Sequence, residues 1–201
     1  MLSRGYTLTG LLMSMGIGVS LLAAGATFAM NLSQQQLVIS QKLELQNHVK
    51  RTGLLIMNEL SRAGYDGMAG IRFISGIPRD ASPFYPAFEL GVSGGYSQGS
   101  CVVFHYDKNH NGTIEKEPLS EYLGFRLKDG AIESRMDAKD CDQPGWQDLT
   151  DPTYIKVDTF RISPVNISGS GALLSVEISA TLVRAPSVSA KLHWPVTVRN
   201  F

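Results

Sequence analysis

The distribution of hydrophobic and polar residues divides the chain into a long helical stretch and a later part with the two-residue period of β-strands. From Gly5 to Gln41 there is no Asp, Glu, Lys or Arg, and residues 6–32 are mostly aliphatic or small. An apolar run of about 20 residues is long enough to cross a bilayer as a helix. We therefore predict a transmembrane helix over residues 6–32.

The helical pattern continues beyond this apolar run. No Pro or Gly interrupts residues 33–52, which are rich in Gln and also contain Lys and Glu, all good helix formers. Apolar residues at three-, four- and seven-residue spacing indicate one buried face. The members of this stripe are Val38, Leu45, Val49, Ile56, Leu60 and Ala63. Gly64 can supply a left-handed cap residue, so one helix is predicted over residues 6–64.

Residues 65–201 predict a small globular domain with an antiparallel sheet. Residues 65–100 are rich in Gly and Pro and predict a loop-rich connection with at most short strands, such as one at 71–75. Beyond them apolar and polar residues alternate, and Asp129-Gly130 is a strong hairpin signal. The predicted strands are 101–106, 121–128, 131–136, 154–165, 172–184 and 189–199, the last two forming a hairpin around Pro186. The predicted fold class is α+β, with the long helix covering one face of the sheet.

Length and charge restrict the classes of function. The chain has 201 residues and no net charge, which suits one small globular domain after the helix. No basic run indicates nucleic acid as a partner. The lone Arg4 before the membrane segment favours a cytoplasmic N-terminus. The four histidines are scattered, and no motif such as GxSxG or HExxH is present, so the sequence predicts no enzyme.

Cys101 and Cys141 are the only cysteines. With the predicted orientation both lie in an oxidising compartment, where a disulfide is the default. Neither belongs to a CxxC pair, which argues against a zinc site. A disulfide closing a loop of about forty residues would stabilise the domain by roughly 4 kcal/mol in the chain-entropy model.

Residues 107–117 carry oxygen-bearing side chains at alternate positions, with glycine at the sixth. This spacing is typical of the first half of an EF-hand loop and makes calcium a candidate cofactor, as a structural clamp. The candidate ligands are Asp107, Asn109, Asn111, Thr113, Glu115 and Glu117. The twelfth position is Pro118 instead of the usual Glu, and the flanks are predicted strands. An Asx/Gly turn between two strands is therefore the alternative interpretation.

The Gly/Pro-rich connection contains several aromatic residues, which are Phe73, Phe84, Tyr85, Phe88 and Tyr96. They could line a binding surface, or they could pin a loose loop to the helix or the sheet. Arg72 and Arg79 are the only Lys or Arg residues in this stretch, which gives little support for nucleic acid binding.

Three interpretations of the N-terminal stretch are open: a cleaved secretory signal, a plain signal anchor and a filament subunit. In a cleaved signal the cleavage site follows the apolar run, and the mature chain is then unrelated soluble sequence. Here Arg4-Gly5 comes before the apolar run, and the helix continues beyond it. Residues 3–13, SRGYTLTGLLM, resemble the N-terminus of type IV pilins and type II secretion pseudopilins.

This resemblance implies that residues 1–5 are a leader peptide. Prepilin peptidase would cut after Gly5 and methylate the new terminus at Tyr6, where the family usually has Phe. The family also has Glu as the fifth mature residue, which is Gly10 here. In the family that carboxylate pairs with the terminal amine of a neighbouring subunit inside the membrane, where an unpaired charge is costly. The glycine indicates a minor subunit that primes or caps a filament.

The rest of the chain is similar to PilW-type minor pilins. The similarity lies in Cys101 and the strand after it, in SEYLGFRL with its DG turn, and in residues 145–151 and 198–200. It implies a pilin-like fold, with one pass through the inner membrane and a periplasmic domain over residues 65–201. The implied partners are prepilin peptidase, the inner-membrane assembly platform, the major pilin and other minor pilins or pseudopilins.

The function implied by the resemblance is to prime or cap a type IV pilus or related filament. Two alternatives remain open. One is a filament-tip binding module for adhesion, DNA or a secreted substrate, and the other is a plain signal-anchored periplasmic domain. No small-molecule cofactor is implied beyond calcium.

Overall fold

The computed structural model describes residues 7–168 and 171–200. The predicted leader, with Gly5 and Tyr6, lies outside the described residues. Two α-helices, one 3-10 turn and eight strands are present in the described part. They are α1 Leu8–Leu60, α2 Ala69–Ile74, the turn Arg79–Ala81, β1 Phe88–Gly91, β2 Cys101–His105, β3 Tyr122–Lys128, β4 Ala131–Ser134, β5 Gln147–Asp148, β6 Ile155–Ser168, β7 Gly171–Leu182 and β8 Ala185–Val198. The α+β class is confirmed.

The long helix α1 contributes to two compact units. The first unit ends at Leu43 and the second begins at Glu44. In the first unit, α1 is long and apolar enough to cross a membrane, and the helix is exposed almost throughout. In the second unit, α1 buries one face against the sheets through Leu45, Val49, Gly53, Ile56 and Leu60.

The helix ends earlier than predicted, and Gly64 has the predicted left-handed backbone but does not cap the last helical turn. The α-helix ends at Leu60, and residues 61–63 form a turn that leads to Gly64. Gly64 has a positive φ of 75° and donates its N–H to the carbonyl of His105 at 2.8 Å. Left-handed backbone favours glycine, and a Cβ here would also collide with the carbonyl of Asn200.

Strands β1 to β5 form one antiparallel sheet in chain order. Consecutive strands pair side by side, as expected for short connections. Between β3 and β4, Asp129 and Gly130 have φ values of 50° and 79°, both left-handed. Such a pair forms the two-residue turn whose twist matches the flanking strands, so the predicted DG hairpin is confirmed.

Strands β6, β7 and β8 form a second antiparallel sheet. The central strand β7 alternates regularly between buried and half-buried residues and contains no proline. The prolines of this sheet, Pro164, Pro186 and Pro195, lie in its two edge strands, where a missing N–H costs no ladder hydrogen bond. The predicted turn around Pro186 is wrong, because Leu182 pairs with Ala185 and the turn is at residues 183–184.

The strands thus form two sheets, where the sequence suggested one. Residues of β6 bond to loops of the first sheet: Val157 donates its N–H to the carbonyl of Gly130 at 2.7 Å, and Ile162 donates to Gly99 at 2.9 Å. A Cβ on Gly99 would collide with the carbonyl of Ile162. These contacts join the two sheets within the second unit.

The predicted short strand at 71–75 is wrong, because these residues lie in helix α2 and the turn after it. Asp66 starts this helix: its Oδ1 accepts a hydrogen bond from the N–H of Met68 at 2.8 Å, and its carbonyl accepts from Ala69 at 3.1 Å. Asp66 thus forms a local turn that leads into the helix, whose N-cap residue is Met68.

Candidate functional site

The N-terminal assembly residues are only partly within the described chain. Gly10 lies on the exposed surface of α1, and within the described part of the chain a Cβ added there would meet only the Oγ1 of Thr7, at 3.2 Å. Cβ atoms added to Gly16, Gly18 or Gly25 would meet no described residue within 4 Å. At these positions the helix has room for another helix to approach closely.

The predicted disulfide is confirmed. Cys101 and Cys141 are bonded with an S–S distance of 2.02 Å, and their Cα atoms are 6.0 Å apart. Cys101 is fully buried in β2. A Cβ on Gly91, which pairs with Cys101 across the sheet, would lie 2.8 Å from the Sγ of Cys141. The sulfur bridge therefore passes directly over a glycine of β1.

A buried arginine organises the loop that carries Cys141. The side chain of Arg126 is only 2% exposed and forms an ion pair with Glu133 on the neighbouring strand. Its Nη1 donates to the carbonyls of Cys141 and Gln143, and its guanidinium lies 4.6 Å from the ring centroid of Trp146. Sequence reasoning placed Arg126 on the polar face of a strand and missed this role.

The loop after β2 is built around the carboxylate of Asp107, which is buried. Its Oδ2 accepts hydrogen bonds from the N–H groups of Gly67 at 3.0 Å and Gly112 at 2.8 Å. Its Oδ1 accepts from the N–H of Asn111 at 3.1 Å. Asp107 therefore stabilises the loop through backbone amides and also ties it to the start of the segment after α1.

The other candidate calcium ligands also bond within the loop. Asn111 Oδ1 accepts from the N–H and the Oγ1 of Thr113, both at 2.9 Å, and Asn109 donates to Glu115 Oε2 at 2.6 Å. Glu117 is exposed. Among the described residues, no group of three or more His, Cys, Asp or Glu side chains could hold a metal ion. Calcium would have to displace the bond between Asn109 and Glu115, and its binding stays a prediction.

Glu121 closes this loop, and sequence reasoning did not identify it. The side chain is buried, and its Oε1 accepts from the N–H of Lys108 at 2.7 Å while Oε2 accepts from the N–H of Glu115 at 3.1 Å. A bidentate carboxylate at the end of an EF-hand loop would bind the ion. Here the bidentate carboxylate comes three residues after Pro118 and binds backbone amides.

A second polar cluster joins the end of α1 to the first sheet. The hydroxyl of Tyr106 donates to Glu59 Oε2 at 2.7 Å and accepts from Arg62 Nη1 at 3.2 Å. Burial, and then the hydrogen bond to Glu59, raise the pKa of Tyr106. The neighbouring His105 is neutral near pH 7, because burial and the charge of Arg135 lower its pKa to about 4.

A cleft of about 440 Å³ lies between α2, the turn Arg79–Ala81 and the end of β8. Asp66 lines it and is nearly buried, and its Oδ2 accepts from Arg72 Nε at 2.8 Å and Ser82 Oγ at 2.7 Å. Burial alone would raise the pKa of Asp66, but the hydrogen bonds from Ser82, Met68 and Arg72 outweigh it and lower the pKa. The carboxylate is therefore a charged structural group inside the cleft.

The aromatic residues of the Gly/Pro-rich connection divide into two groups. Phe84 and Phe88 are buried, and Tyr96 is half-buried against the core, so these three pin the connection in place. Phe73 and Tyr85 are exposed and line the cleft. The pinning interpretation therefore holds for three of the residues, and a binding surface stays a prediction for Phe73 and Tyr85.

Comparisons with known proteins agree with the resemblance. Residues 38–198 match the family model described as prepilin peptidase-dependent protein B. Prepilin peptidase-dependent protein B of Escherichia coli (strain K12) is 30% identical over 199 residues, which is 98% of this chain and 97% of the relative. No solved structure gives a significant match. The matched region includes both cysteines, α2 and the loop after β2.

Proposed function

The chain belongs to the prepilin peptidase-dependent protein B family, and on this premise we propose that it is a minor pilin or pseudopilin that primes or caps a type IV pilus or related filament. The relative's name states that it depends on prepilin peptidase. We extend this dependence to the present chain, with cleavage after Gly5 and methylation of Tyr6, both outside the described residues.

The priming or capping role depends on Gly10. Its place on the exposed helix surface leaves room for a longer side chain, since Thr7 Oγ1 is the one close neighbour of an added Cβ among the described residues. The fold of this chain therefore does not require glycine at this position. A subunit without the carboxylate cannot pair with the amine of a neighbouring subunit, and the first or last subunit of a filament can dispense with that pair.

One N-terminal apolar helix is consistent with a single-pass anchor in the inner membrane. We propose that the N-terminus is cytoplasmic and that the second unit lies in the periplasm before it enters the filament, at the tip. The disulfide between Cys101 and Cys141 supports an oxidising location for that unit. The proposed partners are prepilin peptidase, the assembly platform, the major pilin and other minor pilins.

The observation that carries the proposal is the Arg4-Gly5 junction directly before an apolar helix in a member of this family. Replacing Gly5 with Val tests it, in the full chain expressed in its own cells. We expect a chain that keeps residues 1–5 and is lost from sheared filaments. Ser3→Val, two residues upstream, is the matched control and should be processed. Normal processing and normal incorporation of the Gly5 variant would contradict the proposal.

The role of Gly10 has its own test, because Gly10→Glu restores the family carboxylate. If the missing charge keeps this subunit out of the shaft, the variant should enter sheared filaments in greater amount than the wild type. Gly10→Gln has a similar size without the charge and should behave as the wild type does. Equal incorporation of all three chains would refute the argument from the missing carboxylate.

A filament-tip binding module is the second candidate function. One observation favours it: Phe73 and Tyr85 are exposed beside a cleft, in the segment that follows the end of α1. Exposed aromatic side chains at a concave surface are typical of binding sites.

A further inference from the structure

Helix α2 presents apolar side chains to solvent. It has six residues, none of them buried, and Ile71, Phe73 and Ile74 are 60%, 83% and 85% exposed. A helix this short is not stable by itself in water, and tertiary contacts usually hold such a helix by its apolar face. In α2 these apolar side chains are largely exposed instead, so polar interactions must contribute to holding the helix in place.

Polar contacts hold α2. Arg72 donates from Nε to Asp66 and, from Nη2, to the carbonyl of Gly112 at 2.6 Å, which connects α2 to the loop after β2. Asp66 also accepts from Met68 and from Ser82. These bonds fix the helix before any partner arrives. Preorganisation lowers the ordering cost of binding, and the apolar side chains remain available for another surface.

The cleft beside α2 has apolar walls and a positive charge. Its walls include Phe73, Ile77 and Tyr85, and the charged residues that line it are three arginines and one aspartate. The aspartate is Asp66, whose charge Arg72 offsets in a direct ion pair. Arg199, at the other side of the cleft, is exposed, and its side chain has no hydrogen bond or ion pair within the described residues. Among the described residues that line the cleft, the remaining charge is therefore positive.

We propose that this surface, formed by α2 and the cleft beside it, docks a segment of another protein in which an acidic residue is flanked by large apolar side chains. The apolar side chains would pack on Phe73 and Ile77, and the carboxylate would pair with Arg199. Aromatic residues and arginine are enriched where protein interfaces gain most of their affinity. The inference rests on the proposed function, because a filament subunit presents this unit to other proteins.

The test places the photocrosslinker p-benzoylphenylalanine at position 73 of the full chain, expressed in its own cells. Crosslinked peptides are then identified by mass spectrometry. We expect an adduct with a peptide of another protein that contains an acidic residue between apolar residues. Arg199→Glu should lower the adduct yield about tenfold or more, since like charges then face each other. Two matched controls use the turn between β7 and β8: the crosslinker at Val183 should give no such adduct, and Arg184→Glu should leave the yield unchanged.

Four results would overturn this proposal: a lipid adduct, an adduct with a second copy of the chain, a peptide without an acidic residue, or a yield that Arg199→Glu leaves unchanged. The same cells are scored for the mature N-terminus and for sheared filaments. If both are normal and no adduct forms, the docking proposal fails and the proposed function stands. If processing after Gly5 is absent, the proposed function fails, and the docking proposal fails with it.

Discussion

Gly53 provides the sharpest test of how α1 packs on the second sheet. A Cβ on this residue would lie 2.5 Å from Cζ3 and 2.8 Å from Cζ2 of Trp194, and closer still to Cη2. Trp194 lies in β8 and packs against the core. The glycine therefore lets the indole ring of an edge strand lie directly on the helix backbone.

Two effects of Gly53→Ala oppose each other. In a helix interior, Ala is favoured over Gly by about 1 kcal/mol. An added methyl in a filled contact costs about 1–3 kcal/mol, because side chains and backbone must shift. Here the methyl would meet three ring atoms at distances that real Cβ atoms do not show, so the upper part of this range applies. We expect a net loss of about 1–2 kcal/mol in the free energy of unfolding.

The assay is urea denaturation of the full chain in detergent, followed by tryptophan fluorescence. Trp194→Leu removes the ring atoms that the methyl would meet, so in that background Gly53→Ala should stabilise the protein by about 1 kcal/mol. The sign of the effect thus depends on residue 194, which a double-mutant cycle measures. Stabilisation by Gly53→Ala in the wild-type background, of the same size as in the Trp194→Leu background, would refute the packing argument.

Four further predictions concern the second unit. Replacing Cys101 and Cys141 by Ser should lower the free energy of unfolding by about 4 kcal/mol, because a long loop is no longer closed in the unfolded chain. Arg126→Ala should cost about 3–5 kcal/mol, since it leaves Glu133 without its buried partner. If calcium binds the loop after β2, the melting temperature should rise with added calcium in the wild type and not in an Asp107→Ala variant. Stability should also fall as the pH is lowered from 6.5 towards 4, because His105 in the folded protein resists the proton that it accepts when unfolded.

Each of these predictions has a matched control and a result that counts against it. Reductant should lower the free energy of unfolding of the wild type to that of the double-Ser variant. Equal stability of the oxidised and reduced wild type would contradict the prediction for the disulfide. Arg126→Lys keeps the charge, so it should lower the free energy of unfolding less than Arg126→Ala does, and equal losses would contradict the argument from the charge. Magnesium in place of calcium should have a smaller effect, and a calcium response unchanged by Asp107→Ala would exclude that residue as a ligand. In the His105→Gln variant, the free energy of unfolding should fall less as the pH is lowered from 6.5 towards 4. A fall as large as in the wild type would exclude His105 as its cause.

Periodicity predicted the buried face of α1 because one residue in every three or four faces the same way. Leu45, Val49, Ile56 and Leu60 are buried as predicted. Val38, at the correct spacing for the same stripe, is exposed, because it belongs to the first unit. A repeating pattern identifies the face of a helix, but it does not show where the partner surface begins.

Local alternation likewise identified six of the eight described strands, missing the short strands β1 and β5, but not their division into two sheets. Whether β5 and β6 belong to one sheet depends on contacts such as that of Val157 with Gly130. A periodic pattern does not link residues so far apart in the chain. Helix α2 was missed for a related reason. Its apolar residues Ile71 and Phe73 alternate as in a strand, whereas the helix is fixed by the ion pair of Arg72 with Asp66, which no alternation shows.

The residues that organise the candidate site were the hardest to identify from sequence. Glycine at position 53 has no local signal that announces Trp194, because the two residues meet only after the second sheet forms. In the sequence, Arg126 is one of the polar residues of an alternating strand. In the structure, the loop that carries Cys141 covers it. The loop after β2 was located correctly, yet the carboxylate that closes it, Glu121, lies beyond the calcium motif.

The mass of the mature N-terminus tests the central proposal most directly. The measurement uses the full chain purified from the membranes of its own cells, and mass spectrometry of the intact protein and its N-terminal peptide. The account predicts a chain that begins at Tyr6 and carries one added methyl group on its terminal amine. A chain that begins at Met1, or one cut beyond residue 25, would contradict the assignment as a filament subunit.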